Sequence, residues 1–572
     1  MYCMWNRGRG KHYLIVLLLV LMPVPELIAQ PSLVPSYHPV YEWLYLQRVK
    51  GLLPRYNYES LPLSRSTILK HLKELNKGGD ISAGTEQKTL RSFLQEFDPN
   101  HLLEEETHSL VQPGSRLSFD RFKDWLRDDH ERHLFSLTNE NGFLVFDHGF
   151  GRRSFFVHDE GELRKAPYIL NQFWRTYGSY KDLIGYHVEF IRAVPVGDQR
   201  IFEFDGFYSF NWKFRTPEEN QNLNHHYEAY TTVKYNLFEL SIGRGNLKEG
   251  VGRTQNLVFS RESIPTDWVR FKVDGKYVSY KMIHATLSAP TIPSTLPGDS
   301  SISTNNSPRR WTAFHKIDIK PWKWLKASFY EMINYSNRGA ELAYINPVNR
   351  YAFGEFELQN QDNGWAGFSL VARPFKSFEA YTEILIDDLG DKRDLIFKKE
   401  FPMTSRFGRR YGVTYASRKG WQLGTEYTRI DPFTYSHPQD LNAHTDKGIG
   451  LGSQIGPNAD RLEFSLQKWG VGRTFARVAY SFDRQGLDIF NENGERIFLA
   501  GASPNDGRDL RIARSNLFLD GDLHEWQRIQ LDAQWEFKRA YIIRGRLEQR
   551  FITTGTQLQD QTIFYADLII GF

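Results

Sequence analysis

The stretch RIQLDAQWEFKR, residues 528–539, alternates without a break. Ile529, Leu531, Ala533, Trp535 and Phe537 fall on one side of an extended chain, and Arg528, Gln530, Asp532, Gln534, Glu536 and Lys538 on the other. Successive side chains of a strand point to opposite faces, so this is a strand with one apolar face and one charged face. RLEFSLQKW (461–469) repeats the pattern, with Leu462, Phe464 and Leu466 set against Arg461, Glu463, Ser465 and Gln467. From residue 143 onward the same period governs the chain.

Two kinds of connection separate these runs. VDGK (273–276), KPWK (320–323), RPFK (373–376) and SRKG (417–420) are tight turns, while 289–310 and 491–510 are long and polar. Tight turns alternating with long loops, on strands with one apolar and one polar face, predict a transmembrane barrel. A soluble sandwich is the alternative. It would set the serial charges Arg544, Arg546, Glu548 and Arg550 in bulk water, whereas a barrel turns them into a wet lumen. An arginine on the lipid side near the midplane costs about 2–4 kcal/mol. Aromatic residues make up 15% of the chain although mean hydropathy is −0.51, the signature of one-faced strands with aromatic girdles.

The run TIFYADLIIGF (562–572) obeys the same alternation. Phe564, Ala566, Leu568, Ile570 and Phe572 form the expected lipid-facing set, opposite Tyr565, Asp567, Ile569 and Gly571. Such a strand is expected to pair with the first one and leave no free edge. The strand region allows about 16–20 strands, an even number.

Residues 1–29 read as a secretory leader: Arg7, Arg9 and Lys11, an apolar run from Tyr13 to Met22, and Ala29 before the cut. Its removal lowers the formal charge from +4 to +2, which excludes a nucleic-acid-binding balance. The single cysteine, Cys3, lies in this leader, so no disulfide and no thiol chemistry is expected. Residues 36–100 carry helical signals. HPVYEWLYLQRVKGLLP closes at Gly51 and Pro54, Ile68, Leu69, Leu72 and Leu75 share one face, and Leu90, Phe93, Leu94 and Phe97 share another. Residues 101–140 read as a charged connector. The expected organisation is a leader (1–29), a periplasmic helical region and connector (30–140) and an outer-membrane barrel (141–572).

Catalytic motifs are missing from the sequence: no His-Glu-x-x-His, no Gly-x-Ser-x-Gly and no P-loop lysine in GRGNLKEGVGR (243–253). His225-His226 would point to opposite faces of a strand and so not share a metal. Ser436-His437 gives no spacing reason to be chosen as a catalytic pair. No enzyme, cofactor or metal is therefore expected. Asp387-Asp388 read as a strand end, a lumen pair, or a ligand site. The blocks 344–367 and 426–437 gather planar amides, carboxylates and rings: Tyr344, Asn346, Arg350, Asn363 and Trp365, then Tyr427 and Tyr435. Rings suit the C–H faces of a sugar and the polar groups suit its hydroxyls. Lumen filling is the equal alternative.

Four runs, in order, resemble the capsule assembly protein Wzi family: VYEWLYLQRVKGLLP…LPLSR, GRGNLKEGVGRTQNLVFSRESIP, YINPVNRYAFGEFE…QDNGWAGF…YTEILIDDL, and EYTRIDPFTYSH…GIGLGSQIGPNADRLEF. Where that family often has Trp-Gly-x-Gly, this chain reads Glu249-Gly250-Val251-Gly252. The resemblance implies an all-β outer-membrane barrel of about 18 antiparallel strands with a periplasmic helical bundle near its mouth. It implies a non-enzymatic lectin that binds capsular or extracellular polysaccharide at the outer membrane. It also implies that Phe564, Leu568, Ile570 and Phe572 form a C-terminal signature read by the barrel-assembly machinery. A pore for oligosaccharides or other solutes is the competing expectation, and Asp387 and Asp388 join the sugar-site candidates.

Overall fold

The structure, a computed structural model, describes residues 30–571 apart from 79–80, 82–83, 99–108, 112–117, 128–130, 160–161, 165–167, 198–211, 216–221, 290–307, 360–361, 389–404, 506–511 and 556. The leader and Phe572 lie outside the described residues.

The period-two runs close into an antiparallel barrel of 18 strands. They are β1 (Gly142–Asp159), β2 (Tyr168–Tyr180), β3 (Ile184–Val196), β4 (Asn222–Tyr235), β5 (Phe238–Gly245) and β6 (Thr266–Asp274). Next come β7 (Val278–Leu287), β8 (Arg310–Trp322), β9 (Leu325–Ser336), β10 (Asn363–Ala372), β11 (Phe378–Asp388) and β12 (Arg406–Ala416). The last are β13 (Trp421–Ile430), β14 (Ala459–Trp469), β15 (Phe475–Leu487), β16 (Asp522–Lys538), β17 (Tyr541–Thr554) and β18 (Gln557–Gly571). β18 closes on β1 with Phe564 opposite Phe156 and Gly571 opposite Gly149. Phe564 and Leu568 are exposed on the outside, while Ile563, Tyr565 and Asp567 are buried inside, as the alternation requires. On β16, Ile529, Leu531, Trp535 and Phe537 are likewise exposed and Gln534 is buried. The turns 273–276, 320–323, 373–376 and 417–420 all join neighbouring strands at one end of the barrel.

The N-terminal helices pack into that turn end. They are α1 (Val40–Val49), α2 (Arg65–Gly78) and α3 (Thr85–Phe97). Trp43, Leu44, Leu72, Phe93 and Phe97 form one apolar cluster with Ala416 and Trp469 of the barrel. Gly51, at φ 86°, turns the chain after α1, a conformation open to glycine. Polar ties fix the helices to the wall: Tyr45 Oη to Thr414 Oγ1 at 3.1 Å, Thr89 Oγ1 to the Gly470 carbonyl at 2.9 Å, and Arg539 to Ser92 Oγ at 2.7 Å. The stretch read as a connector carries more order than its composition predicts. It holds α4 (Phe119–Arg127) and a strand, His133–Asn139, paired with the start of β1.

Between β9 and β10, residues 337–359 and Asp362 lie along the outside of the wall. This strap carries two short helices, α5 (Leu342–Ile345) and α6 (Tyr351–Leu358). Lys316 points inward, so its neighbour His315 faces out, where it meets Glu331 at 3.2 Å. The strap covers both: Arg350 Nε donates to Glu331 at 2.8 Å, and the Tyr351 ring stacks on His315 with centroids 4.3 Å apart. Tyr280 Oη donates to the Pro347 carbonyl at 2.5 Å, pinning the tip of the strap. Leu342, Val348, Phe353 and Phe356 form its exposed side.

Candidate functional site: the plugged lumen and the loop-end cluster

The segment 246–264 leaves β5 and turns into the lumen rather than outward. Lys248–Glu249 pairs as a short ladder with Ser60–Leu61, joining this loop to the N-terminal segment. Glu249 accepts from Lys281 at 2.6 Å, from Lys316 at 2.7 Å and from Ser60 Oγ at 2.8 Å. One carboxylate thus binds two barrel strands and the plug. Burial alone would push the Glu249 carboxyl up; Lys281 and Lys316 reverse this and hold it at about 2. A second node forms at Glu42 of α1, which accepts from Arg261 at 2.8 Å and from Tyr58 Oη at 2.5 Å and lies 3.6 Å from Arg253. Burial raises its carboxyl, and Arg261 and Arg253 bring it down to about 2. A third node is Arg48, held between Glu59 at 2.6 Å and Glu379 of β11 at 2.7 Å.

Lys248 sits over the Tyr58 ring and donates to the Gly250 carbonyl at 2.9 Å. Burial brings its amine down to about 7. The Glu249-Gly250-Val251-Gly252 run has a steric logic. A Cβ on Gly252 would stand 1.6 Å from Arg410 Nη1 and 1.8 Å from the Gln255 carbonyl, so only glycine fits.

A second inward loop, 431–458, fills the lumen from the long-loop end. Asp387 at the end of β11 takes the Trp365 indole N–H and, at 2.7 Å, the backbone N–H of Tyr435. Tyr435 Oη donates to the Leu257 carbonyl at 2.7 Å. His444 Nε2 lies 2.7 Å from the Val258 carbonyl. A carbonyl only accepts, so this nitrogen carries the proton and Nδ1 is the bare one. Burial holds the ring neutral by lowering it to about 4. Asn363 Nδ2 donates to the Asn442 carbonyl at 3.0 Å, and Arg310 donates to the Leu441 and Ala443 carbonyls.

The sugar-site candidates therefore divide into three groups. Asn363, Trp365, Asp387 and Tyr435 come together, yet all are buried and their polar atoms hold the inward loop, so they shape the loop end from beneath. Tyr344, Asn346 and Arg350 lie on the strap, not on a projecting loop. Tyr344 is buried against Tyr335 and donates to Asp362 at 2.7 Å, because outward polar groups of the wall need cover. Tyr427 faces outward on β13 and donates to Asp460 at 3.1 Å. The side chain of Asp388 lies outside the described residues. Among the lumen arginines, Arg546 meets Asp532 at 2.6 Å, Arg550 meets Glu548 at 2.6 Å and Arg461 meets Asp483 at 2.7 Å, while Arg544 donates to the Gln534 amide oxygen at 3.1 Å. Sequence reasoning missed Glu42, Glu249, Arg253 and Arg261. Their signal is faint: fully charged residues beside glycines in a segment bounded by strands.

No family model and no curated protein matches the sequence. Among solved structures, the chain is similar to Wzi of Escherichia coli, described as an outer membrane protein involved in group 1 capsule assembly and a carbohydrate-binding β-barrel. The match covers 95% of this chain and 99% of that one, with TM-score 0.55 and 11% identity. OpdK of Pseudomonas aeruginosa matches over 75% of this chain and 99% of its own, with TM-score 0.40 and 7% identity. OccAB4 of Acinetobacter baumannii matches over 75% and 98%, with TM-score 0.39 and 10% identity. At these identities the likeness is one of fold: the chain is a closed barrel of 18 strands, the architecture of outer-membrane proteins.

Proposed function

We propose that this protein is a non-enzymatic outer-membrane barrel that binds capsular or extracellular polysaccharide at its long-loop end and supports capsule assembly or surface attachment. In this reading residues 1–29 are the export leader, and the helices at the turn end face the periplasm. The observation that carries it is the blocked lumen. Glu42 and Glu249 tie the N-terminal segment, the 246–264 loop and the wall together across the barrel interior. A solute pore needs a continuous wet path, and this barrel places two inward loops and a helix in that path. The overall fold is shared with a barrel described as carbohydrate-binding over nearly all of both chains. The buried group of Asn363, Trp365, Asp387 and Tyr435 would act by positioning the loop 431–446. That loop turns Gln439 and Asp440 to solvent, where a sugar chain can reach them.

The pore reading keeps one observation. Arg528, Arg546 and Arg550 on the inner wall of β16 and β17 are only partly buried, so that side of the lumen is less filled. Binding of purified capsular polysaccharide to the barrel in lipid nanodiscs separates the two. The lectin reading expects saturable binding that falls when Asp387→Asn loosens the loop. No binding by the native protein removes it.

A further inference from the structure

The turn end of the barrel carries a crevice that neither the fold nor the polysaccharide reading uses. It has a volume of about 300 Å3 and opens between residues Pro54–Asn57 of the plug and the turns after β6, β8 and β10. Of its 14 lining residues seven are basic and none is acidic. Four of the seven are matched by carboxylates just behind the wall. Arg48 pairs with Glu59 and Glu379, Lys326 with Glu59, Arg373 with Glu379 at 3.2 Å, and Lys320 with Asp274 at 3.2 Å. The other three are Arg55, Lys276 and Lys323. Among the described residues none of these pairs with a carboxylate, and all are exposed at the mouth. Three cations without an ion-pair partner thus line the mouth of a cavity whose four inner cations share three carboxylates, Glu59, Glu379 and Asp274.

The surroundings say what kind of anion fits. Tyr277 and Trp322 line the crevice and are both exposed, and Trp324 stacks on Trp322 with centroids 5.4 Å apart. Exposed Trp and Tyr at a barrel end mark the border between the hydrocarbon and the headgroups. Directly along the outer wall from these rings, Val278, Ile317, Ile319 and Phe329 are exposed and apolar. A free anion would use the cations alone. A molecule with a phosphate at the border and chains along the wall would use the cations, the rings and the apolar strip together.

We propose that this crevice binds the phosphate-bearing headgroup of an anionic phospholipid, with Arg55, Lys276 and Lys323 around the phosphate and the acyl chains along Val278, Ile319 and Phe329. Because Pro54–Asn57 belong to the plug and the other walls to the barrel, the lipid would clamp one to the other. The proposal rests on the barrel standing in a bilayer but not on any sugar being bound.

The test is native mass spectrometry of the full chain released from detergent micelles doped with phosphatidylglycerol or phosphatidylcholine. Two variants are compared, Arg55→Ala/Lys276→Ala/Lys323→Ala and the charge-matched control Lys70→Ala/Lys77→Ala/Lys88→Ala. Heat-modified gel migration confirms that each is folded. Removing three basic groups near a headgroup is expected to lower phosphatidylglycerol retention by about tenfold or more, with the control unchanged. Equal retention by the crevice variant, equal loss in the control, or displacement of the lipid by millimolar inorganic phosphate would each overturn the proposal. Loss of polysaccharide binding with lipid retention intact would strike only the functional reading, and the converse only this one.

Discussion

Arg261 of an inward loop stands 2.8 Å from Glu42 of the first helix, joining two segments 219 residues apart in sequence across the barrel interior. Both side chains are partly buried, and removing one partner leaves the other largely desolvated and unmatched, at a cost of about 1–3 kcal/mol. Glu42→Gln strands both Arg253 and Arg261. The expected result is a barrel that still folds, since its ladders are untouched, with an N-terminal segment that proteases cut much faster. Unchanged cleavage between residues 30 and 65 would show that this pair does not hold the plug.

The same nodes set a pH dependence. Glu42 and Glu249 are each held at about 2 against an ordinary 4.5. A lowered carboxylate contributes stability that is complete above the unfolded value and disappears as pH falls through the folded one. Each is worth of order 3 kcal/mol, lost between about pH 4.5 and pH 2. Lys248, lowered to about 7, acts in the same sense: its burial costs most when it is charged, and stability rises as pH climbs from about 7 toward the ordinary lysine value. The plug should therefore loosen in acid well before the barrel ladders melt. Hydrogen exchange in residues 40–61 and in β16, followed from pH 6 to pH 2, would show the order of opening.

The outer wall makes a position-specific prediction. Leu531 is exposed on the outer face of β16 and Gln530 beside it points inward. Leu531→Arg should lose about 2–4 kcal/mol of folding stability in lipid vesicles, and Gln530→Arg far less. Comparable losses at both positions would contradict the assignment of faces.

At the loop end, Asp387 binds Trp365 and the backbone of Tyr435 at once. Asp387→Asn keeps the shape but weakens both bonds, at a cost of about 1–3 kcal/mol for the partners left short. Loop 431–446 should become open to protease while the melting of the barrel stays nearly unchanged. Loss of barrel folding instead would make Asp387 a folding residue rather than a loop anchor.

Much of this architecture is legible in the sequence, and for a definite reason. Ile529 to Phe537 alternate because one face looks outward from the barrel and the other into its interior, and that demand is local. The closing of β18 on β1 follows from the same pattern. The turn-end helices are legible because Ile68, Leu72, Leu75, Phe93 and Phe97 keep a helical period. What the sequence hides is direction: nothing in YINPVNRYAFGEFE says that it folds back over His315 and Glu331, since the residues it covers lie on two other strands. Trp365 and Tyr435 look like sugar binders for a similar reason. Rings and amides that fasten a buried loop have the same composition as those that hold a carbohydrate, and only their burial separates the two uses.

The lumen is closed by its own chain, and single-channel recording in planar bilayers reads that closure. At neutral pH and moderate salt the native barrel should be silent, with brief openings appearing in Glu42→Gln. Large, steady currents from the native protein would contradict it and return the molecule to the class of pores.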